Sequence, residues 1–278
     1  MARIFLYCRS FSLLVGIWFT LSGPAPLCAA VPLPNSDTST AIQRLAGIDR
    51  HYDLSFLWFD RLATGELTFT RDSVNPLRYR ALLAARTLGV AAWLTGDRVQ
   101  RYETLMEITP QGRLQPLEYK SMIYKKRGGT VTEQSKIHTF NAATRTIMLT
   151  RSRDGMTWTE ELIKINEDIF PVDFLTAAFN FISGADGTIR LGERKEIITF
   201  TSKGNQKIVI ETLKAADWPK IPFFANGTGT LLKVTLPPEI LETGVGAVYA
   251  LLDDKLLPQR VIVENVLGLG DVRGELRP

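Results

Sequence analysis

The chain has 278 residues, 45% of them hydrophobic, a mean hydropathy near zero and a formal charge of +4. These values fit an ordinary globular protein with room for one large or two small domains, and they give no sign of the clustered basic surface that nucleic-acid binding needs. Only Cys8 and Cys28 are cysteines, both near the N-terminus. Thiol redox chemistry, a cysteine nucleophile and thiolate zinc sites are therefore excluded for the rest of the chain.

The first thirty residues read as a secretory signal. Arg3 and Arg9 supply a positive start, and Phe11 to Leu21 forms an apolar core too short to span a bilayer. Gly23 to Pro26 breaks the helix, and Cys28-Ala29-Ala30 offers small residues before a cut at Ala30–Val31. An uncleaved anchor is the alternative. Cleavage implies a periplasmic protein with no transmembrane segment. Residues 31–48, rich in Pro, Ser and Thr at the start, read as a flexible lead-in, with Ala41 to Ala46 adding a helical turn. One β-rich domain is expected over 49–278.

That domain opens with His51 to Phe59 as an aromatic strand, a turn at Arg61 to Gly65, and strands at Gly65 to Thr70 and Leu77 to Ala84. Ala85 to Leu94 is small and apolar, enough for one short helix. From Arg101 to Lys164 the pattern is a meander of five antiparallel strands. In the first, Tyr102, Thr104, Met106 and Ile108 point one way and Arg101, Glu103 and Glu107 the other, the signature of a half-buried strand. A two-residue turn at Gln111-Gly112 sets Met106 opposite Leu117, Thr104 opposite Tyr119 and Glu103 opposite Lys120. A three-residue turn at Arg127-Gly128-Gly129 places Tyr119 opposite Ile137. Asp154-Gly155, read as a type I′ hairpin, sets Ile147 opposite Leu162 and Arg151 opposite Trp158. One face then collects Tyr102, Met106, Ile108, Leu117, Tyr119, Ile123, Ile147, Leu149, Met156, Trp158 and Leu162.

Asp173 to Ile182 carries Phe174, Ala177, Ala178, Phe181 and Ile182 at helical spacing, with Asp173 placed to cap. It reads as an amphipathic helix laid on the sheet. Strands follow at Arg194 to Thr201, Lys207 to Leu213, Leu231 to Leu236, Val245 to Leu251, Leu256 to Asn265 and Asp271 to Leu276.

Four stretches are similar to the bacterial family called domain of unknown function 3108. They are Tyr52-Asp53-Leu54 through Trp58 with Gly65-Glu66, then Tyr79 followed by Gly89, then Gly112-Arg113-Leu114-Gln115-Pro116 leading to the Asp173 helix, and last Leu257-Pro258-Gln259-Arg260-Val261 to Leu267-Gly268 and Leu276. An arginine often found after that helix in similar chains is absent, and Asn180-Phe181 stands there. The resemblance implies export and a β-rich fold, and it transfers no activity to any residue.

Sites of chemistry are sparse. His51 and His138 lie in different strands without metal-ligand spacing, so both are expected to be structural or solvated. Neither H-E-x-x-H nor G-x-S-x-G occurs. Glu160 and Glu161 face opposite surfaces of a strand. Asp168 and Asp173 are placed to flank a cleft at the sheet-to-helix corner, with capping by Asp173 the favoured reading. Asp253-Asp254 is a turn, and Gly268-Leu269-Gly270 precedes a strand rather than the helix a dinucleotide needs. Lys125-Lys126-Arg127 is a basic hairpin tip.

The expected architecture is mainly β: a large twisted antiparallel sheet able to curl into an open barrel, with one or two helices packed on it. No catalytic residue, metal or cofactor is expected. The candidate ligand-binding surface is Tyr102, Met106, Tyr119, Ile123 and Trp158, and the expected function is non-catalytic binding of a lipid-like amphiphile or an envelope protein. The alternatives are a cell-envelope hydrolase using Asp168 and Asp173, and a structural module whose apolar face is covered by its own helix.

Overall fold

Alternating burial along most of the chain yields fourteen strands in one antiparallel sheet that does not close on itself. The computed structural model describes residues 36–278 apart from 57–58, 128, 202, 242–246 and 267–269. The expected signal segment, Trp58 and the first residues of the lead-in lie outside the described residues. The elements are α1 (Ser36–Leu45), β1 (Ile48–Phe56), β2 (Phe59–Arg71), β3 (Arg78–Thr87), α2 (Gly89–Thr95), β4 (Val99–Ile108), β5 (Leu114–Arg127), β6 (Thr130–Asn141), β7 (Thr146–Ser152), β8 (Trp158–Lys164) and α3 (Phe174–Ser183). They continue with β9 (Arg194–Thr201), β10 (Gly204–Thr212), α4 (Pro222–Ala225), β11 (Thr230–Thr235), α5 (Pro238–Leu241), β12 (Ala247–Leu252), β13 (Pro258–Val263) and β14 (Val272–Leu276).

Two meanders, β1 to β8 and β9 to β14, join where β1 pairs with β14. That seam is close-set: a Cβ on Gly274 would lie 3.0 Å from Leu54. Strands β8 and β9 are consecutive in sequence yet form the two outer edges of the sheet. The chain between them carries α3. Phe200 of β9 shares one core with Phe69, Tyr79, Tyr102, Tyr119 and Phe140 of the first meander, so the sheet is strongly curled around its apolar side.

The helix α3 fills that curl rather than lying on it. Leu175 and Phe179 join the core of the first meander, while Ala177 and Phe181 join Ile197, Ile208, Ile210 and Leu232 of the second. A helix that is apolar all round is a buried helix. Asp173 caps its start, and Gly184, at φ 79°, ends it in the left-handed region. α1 packs beside it through Ile42 and Leu45, so residues 36–45, expected within the lead-in, are an ordered part of the core.

Helix and sheet are also tied by hydrogen bonds. The Asn180 side chain accepts from the Leu114 N–H and donates to the Leu114 C=O, both at 2.8 Å, as a neighbouring strand would. Arg113 donates to Ala185 O and to Asp186, which clasps the helix end. Asn180→Ala strands both backbone groups in the core, and chemical unfolding should show a loss of about 2 kcal/mol.

Several registers differ from expectation. Phe56 pairs with Phe59, so the first hairpin turns before Arg61 rather than at it. The β4–β5 loop is three residues long, closed by Thr109 and Arg113, and Met106 meets Pro116. A bulge then leaves Leu117 unpaired, and beyond it Thr104 meets Tyr119 and Glu103 meets Lys120 as expected. Arg127 pairs with Thr130 across a two-residue loop, which moves His138, not Ile137, opposite Tyr119. The β7–β8 loop spans five residues. Asp154 accepts from the N–H groups of Met156 and Thr157 and holds it open. Ile147 therefore meets Ile163 and Ser152 meets Trp158.

Candidate functional site

The register places four of the five candidate surface residues together. Tyr102, Met106, Tyr119 and Ile123 are all buried on the concave face, since Thr104 and Tyr119 are opposed and side chains repeat every second residue. Trp158 is not with them. Its partner Ser152 lies on the convex side, and the indole is 44% exposed. Leu162, also expected on the apolar face, is exposed for the same one-residue reason, and Met156 is exposed in the β7–β8 loop.

The concave surface is largely covered. Phe174, from the first turn of α3, meets Tyr102 and Tyr119 edge-on at 5.5 and 5.9 Å between ring centroids. Met106 is wholly buried. Beside Tyr119 there is a small, partly open cavity of about 30 Å³. That is room for a water or a small polar group, not an acyl chain.

Its polar lining comes from four elements. Ser121 is on β5, Lys136 and His138 on β6, Thr199 and Thr201 on β9, and Glu239 on α5. Tyr119, Phe174, Phe200 and Ile240 form the apolar walls, and Asp173 lies at the α3 end. The imidazole of His138 is stacked into this wall, 5.6 Å from both the Tyr119 and Phe200 ring centroids. It is only 5% exposed, and neither ring nitrogen has a protein hydrogen-bond partner among the described residues. Burial, with help from the Lys136 charge, pulls its pKa from 6.5 down to about 4. At neutral pH the ring is uncharged, offering one donor and one acceptor.

The neighbouring carboxylates are already engaged. Asp173 accepts from the N–H groups of Leu175 and Thr176 and from the hydroxyls of Thr104 and Thr176. Burial pushes its pKa above the ordinary value, while those hydrogen bonds pull the other way. Glu239 pairs with Lys203, which holds its carboxyl below the usual range. Asp168 is exposed and shares no hydrogen bond with Asp173 among the described residues. Asp173 is the N-cap of α3.

Among the described residues no three His, Cys, Asp or Glu side chains are grouped to hold a metal ion. His51 is an exposed strand residue 3.1 Å from Asp49. Asp253 organises its turn by accepting from Lys255 and Leu257 N–H groups and pairs with Arg50. The final glycine-rich segment is a hairpin between β13 and β14, with 267–269 outside the described residues.

Sequence reasoning missed His138 as a site residue. The signal was the Gly128-Gly129 pair: read as a two-residue hairpin loop, it puts His138 opposite Tyr119. Lys136 follows from the same register, two residues away. Phe200 and Glu239 carried no local signal, because the curl of the sheet brings them there.

No protein-family model matches the chain, and no curated protein matches it. Among solved structures the chain is similar to the crystal structure of a β-barrel-like protein of domain of unknown function DUF1849 from Brucella abortus. The identity is 10% and the TM-score 0.46, over 82% of this chain and 94% of that one. No residue role passes across at that level. No helix of the described residues is long and apolar enough to cross a membrane.

Proposed function

We propose that this chain is an exported, periplasmic binding protein of the bacterial envelope, akin to the domain of unknown function 3108 family, that takes a small polar group into the cavity at His138. The group is the head of an amphiphile or a side chain of an envelope protein. The observation that carries this reading is the imidazole of His138, buried beside a cavity with both nitrogens unmatched. A buried polar group without partners is destabilising, and an oxygen-bearing ligand group removes that penalty by accepting from one nitrogen and donating to the other. A hydroxyl can do both at once.

The full-length chain, leader included, should be expressed in a Gram-negative host, recovered from the periplasm and examined by native mass spectrometry after incubation with an envelope-lipid extract. The expected result is a mature chain starting at Val31 that retains a bound species, lost in His138→Leu. A mature chain that stays ligand-free in every preparation would remove the binding reading. It would favour the structural module, whose supporting observation is the filling of the concave side by α3 and α1.

A further inference from the structure

We propose that β8 is a docking edge for a second copy of this chain, giving a two-fold dimer through antiparallel β8–β8 pairing. The two edges of the sheet are treated differently. At β9, Val172 runs alongside: its N–H donates to Ile198 O, and its C=O accepts from the Phe200 N–H and the Thr199 hydroxyl. Among the described residues no strand or bridge pairs with the outer side of β8. It is the end strand, it pairs with β7 without a bulge, and it contains no proline. Six of its seven residues are exposed. A regular, unguarded edge is the form that recruits another strand.

The alternation of hydrogen bonds decides which groups are free. Ile165 N–H donates to Arg145 O at 2.8 Å, so the odd-numbered residues of β8 turn their backbone groups toward β7. Trp158, Glu160, Leu162 and Lys164 turn theirs to the open edge. Their side chains share the convex face with the exposed Leu162, which is 56% accessible.

Charge then selects one register. Centred on Glu160 or Glu161, a symmetric pairing sets a carboxylate directly against its own copy, which is unfavourable. Centred on Leu162, it sets Leu162 against Leu162 of the partner subunit, and Glu160 against Lys164 of the partner subunit twice over. All three of these positions are edge-facing, so each pair can exchange both backbone hydrogen bonds. Neither Glu160 nor Lys164 has an ion-pair partner within its own chain among the described residues. The contact is isologous, and with Val172 occupying the 198–200 stretch of β9 the assembly closes at two.

Sedimentation of the mature chain over a concentration series should show a monomer–dimer equilibrium. Glu160→Lys alone and Lys164→Glu alone each place like charges opposite and should weaken dimerisation by about tenfold. The double exchange restores the opposite-charge pairs and should recover it. Leu162→Pro removes an edge-facing N–H without touching the β7 ladder and should abolish it, with circular dichroism confirming that the monomer is folded. A chain that stays monomeric at all concentrations overturns the proposal. So does a dimer that the single exchanges leave unchanged, or that the double exchange fails to restore.

Discussion

Asp173→Ala should lower the stability of the protein by about 4 kcal/mol, the largest loss expected from any single polar residue here. One carboxylate oxygen accepts from the Leu175 and Thr176 N–H groups, at 2.9 and 3.0 Å. The other accepts from Thr104 Oγ1 of β4 at 2.9 Å and from Thr176 Oγ1. The residue therefore caps the helix and pins it to the sheet it fills. Loss of the cap alone is worth about 1 kcal/mol, and each buried donor left unmatched adds roughly 1 to 3 more before relaxation. Asp173→Asn keeps an acceptor for the two N–H groups, and the hydroxyls can turn to accept from its amide. Urea unfolding should place it within about 1.5 kcal/mol of wild type. If both variants unfold like wild type, the cap is not what holds α3. If Asp173→Asn keeps its stability but loses an envelope phenotype, a chemical role for the carboxylate returns.

The same residue shows what the amino-acid pattern made legible. A carboxylate ahead of an apolar helix is a local signal, and so are strict alternations such as Tyr102 to Ile108. Both appear in the structure as read. Turn lengths were the weak point, because one residue more or less moves every side chain of a strand to the other face. At Pro110-Gln111-Gly112 the loop is one residue longer than read, and the bulge at Leu117 cancels the difference, so Glu103 and Lys120 still meet. No bulge rescues the β7–β8 pair. Asp154 uses its side chain to bind two N–H groups instead of adopting a two-residue turn, and Trp158 moves to the convex side. The deep burial of α3 was legible in Leu175, Ala177, Phe179 and Phe181, while Phe174, Ala178 and Ile182 form its half-buried stripe. What no local pattern carries is the partner of that helix. The pairing of β1 with β14 joins residues more than two hundred positions apart, and only then do Phe200 and Glu239 reach His138.

His138 should make the protein sensitive to mild acid. Its pKa falls from 6.5 to about 4 on folding because burial disfavours the imidazolium. Between those values the unfolded chain binds a proton that the native chain refuses. Stability is thus complete above about pH 6.5 and declines as the pH falls toward 4, by roughly 3 kcal/mol in all. Asp173 works in the opposite sense, since a carboxyl raised on folding favours the native state at low pH. The comparison must therefore be with His138→Phe, in which Asp173 is retained and only the histidine's contribution is gone. Urea unfolding of both proteins from pH 7.5 to 4.5 should show wild type losing stability relative to the variant. Parallel curves would mean that the imidazole finds a partner in solution. At pH 7.5 the phenyl ring replaces an unmatched polar group among Tyr119, Phe140 and Phe200, and the variant should be at least as stable as wild type. A histidine kept where phenylalanine packs better is what a binding residue looks like in energetic terms. The stability gained by His138→Phe at neutral pH should therefore come with loss of the bound species.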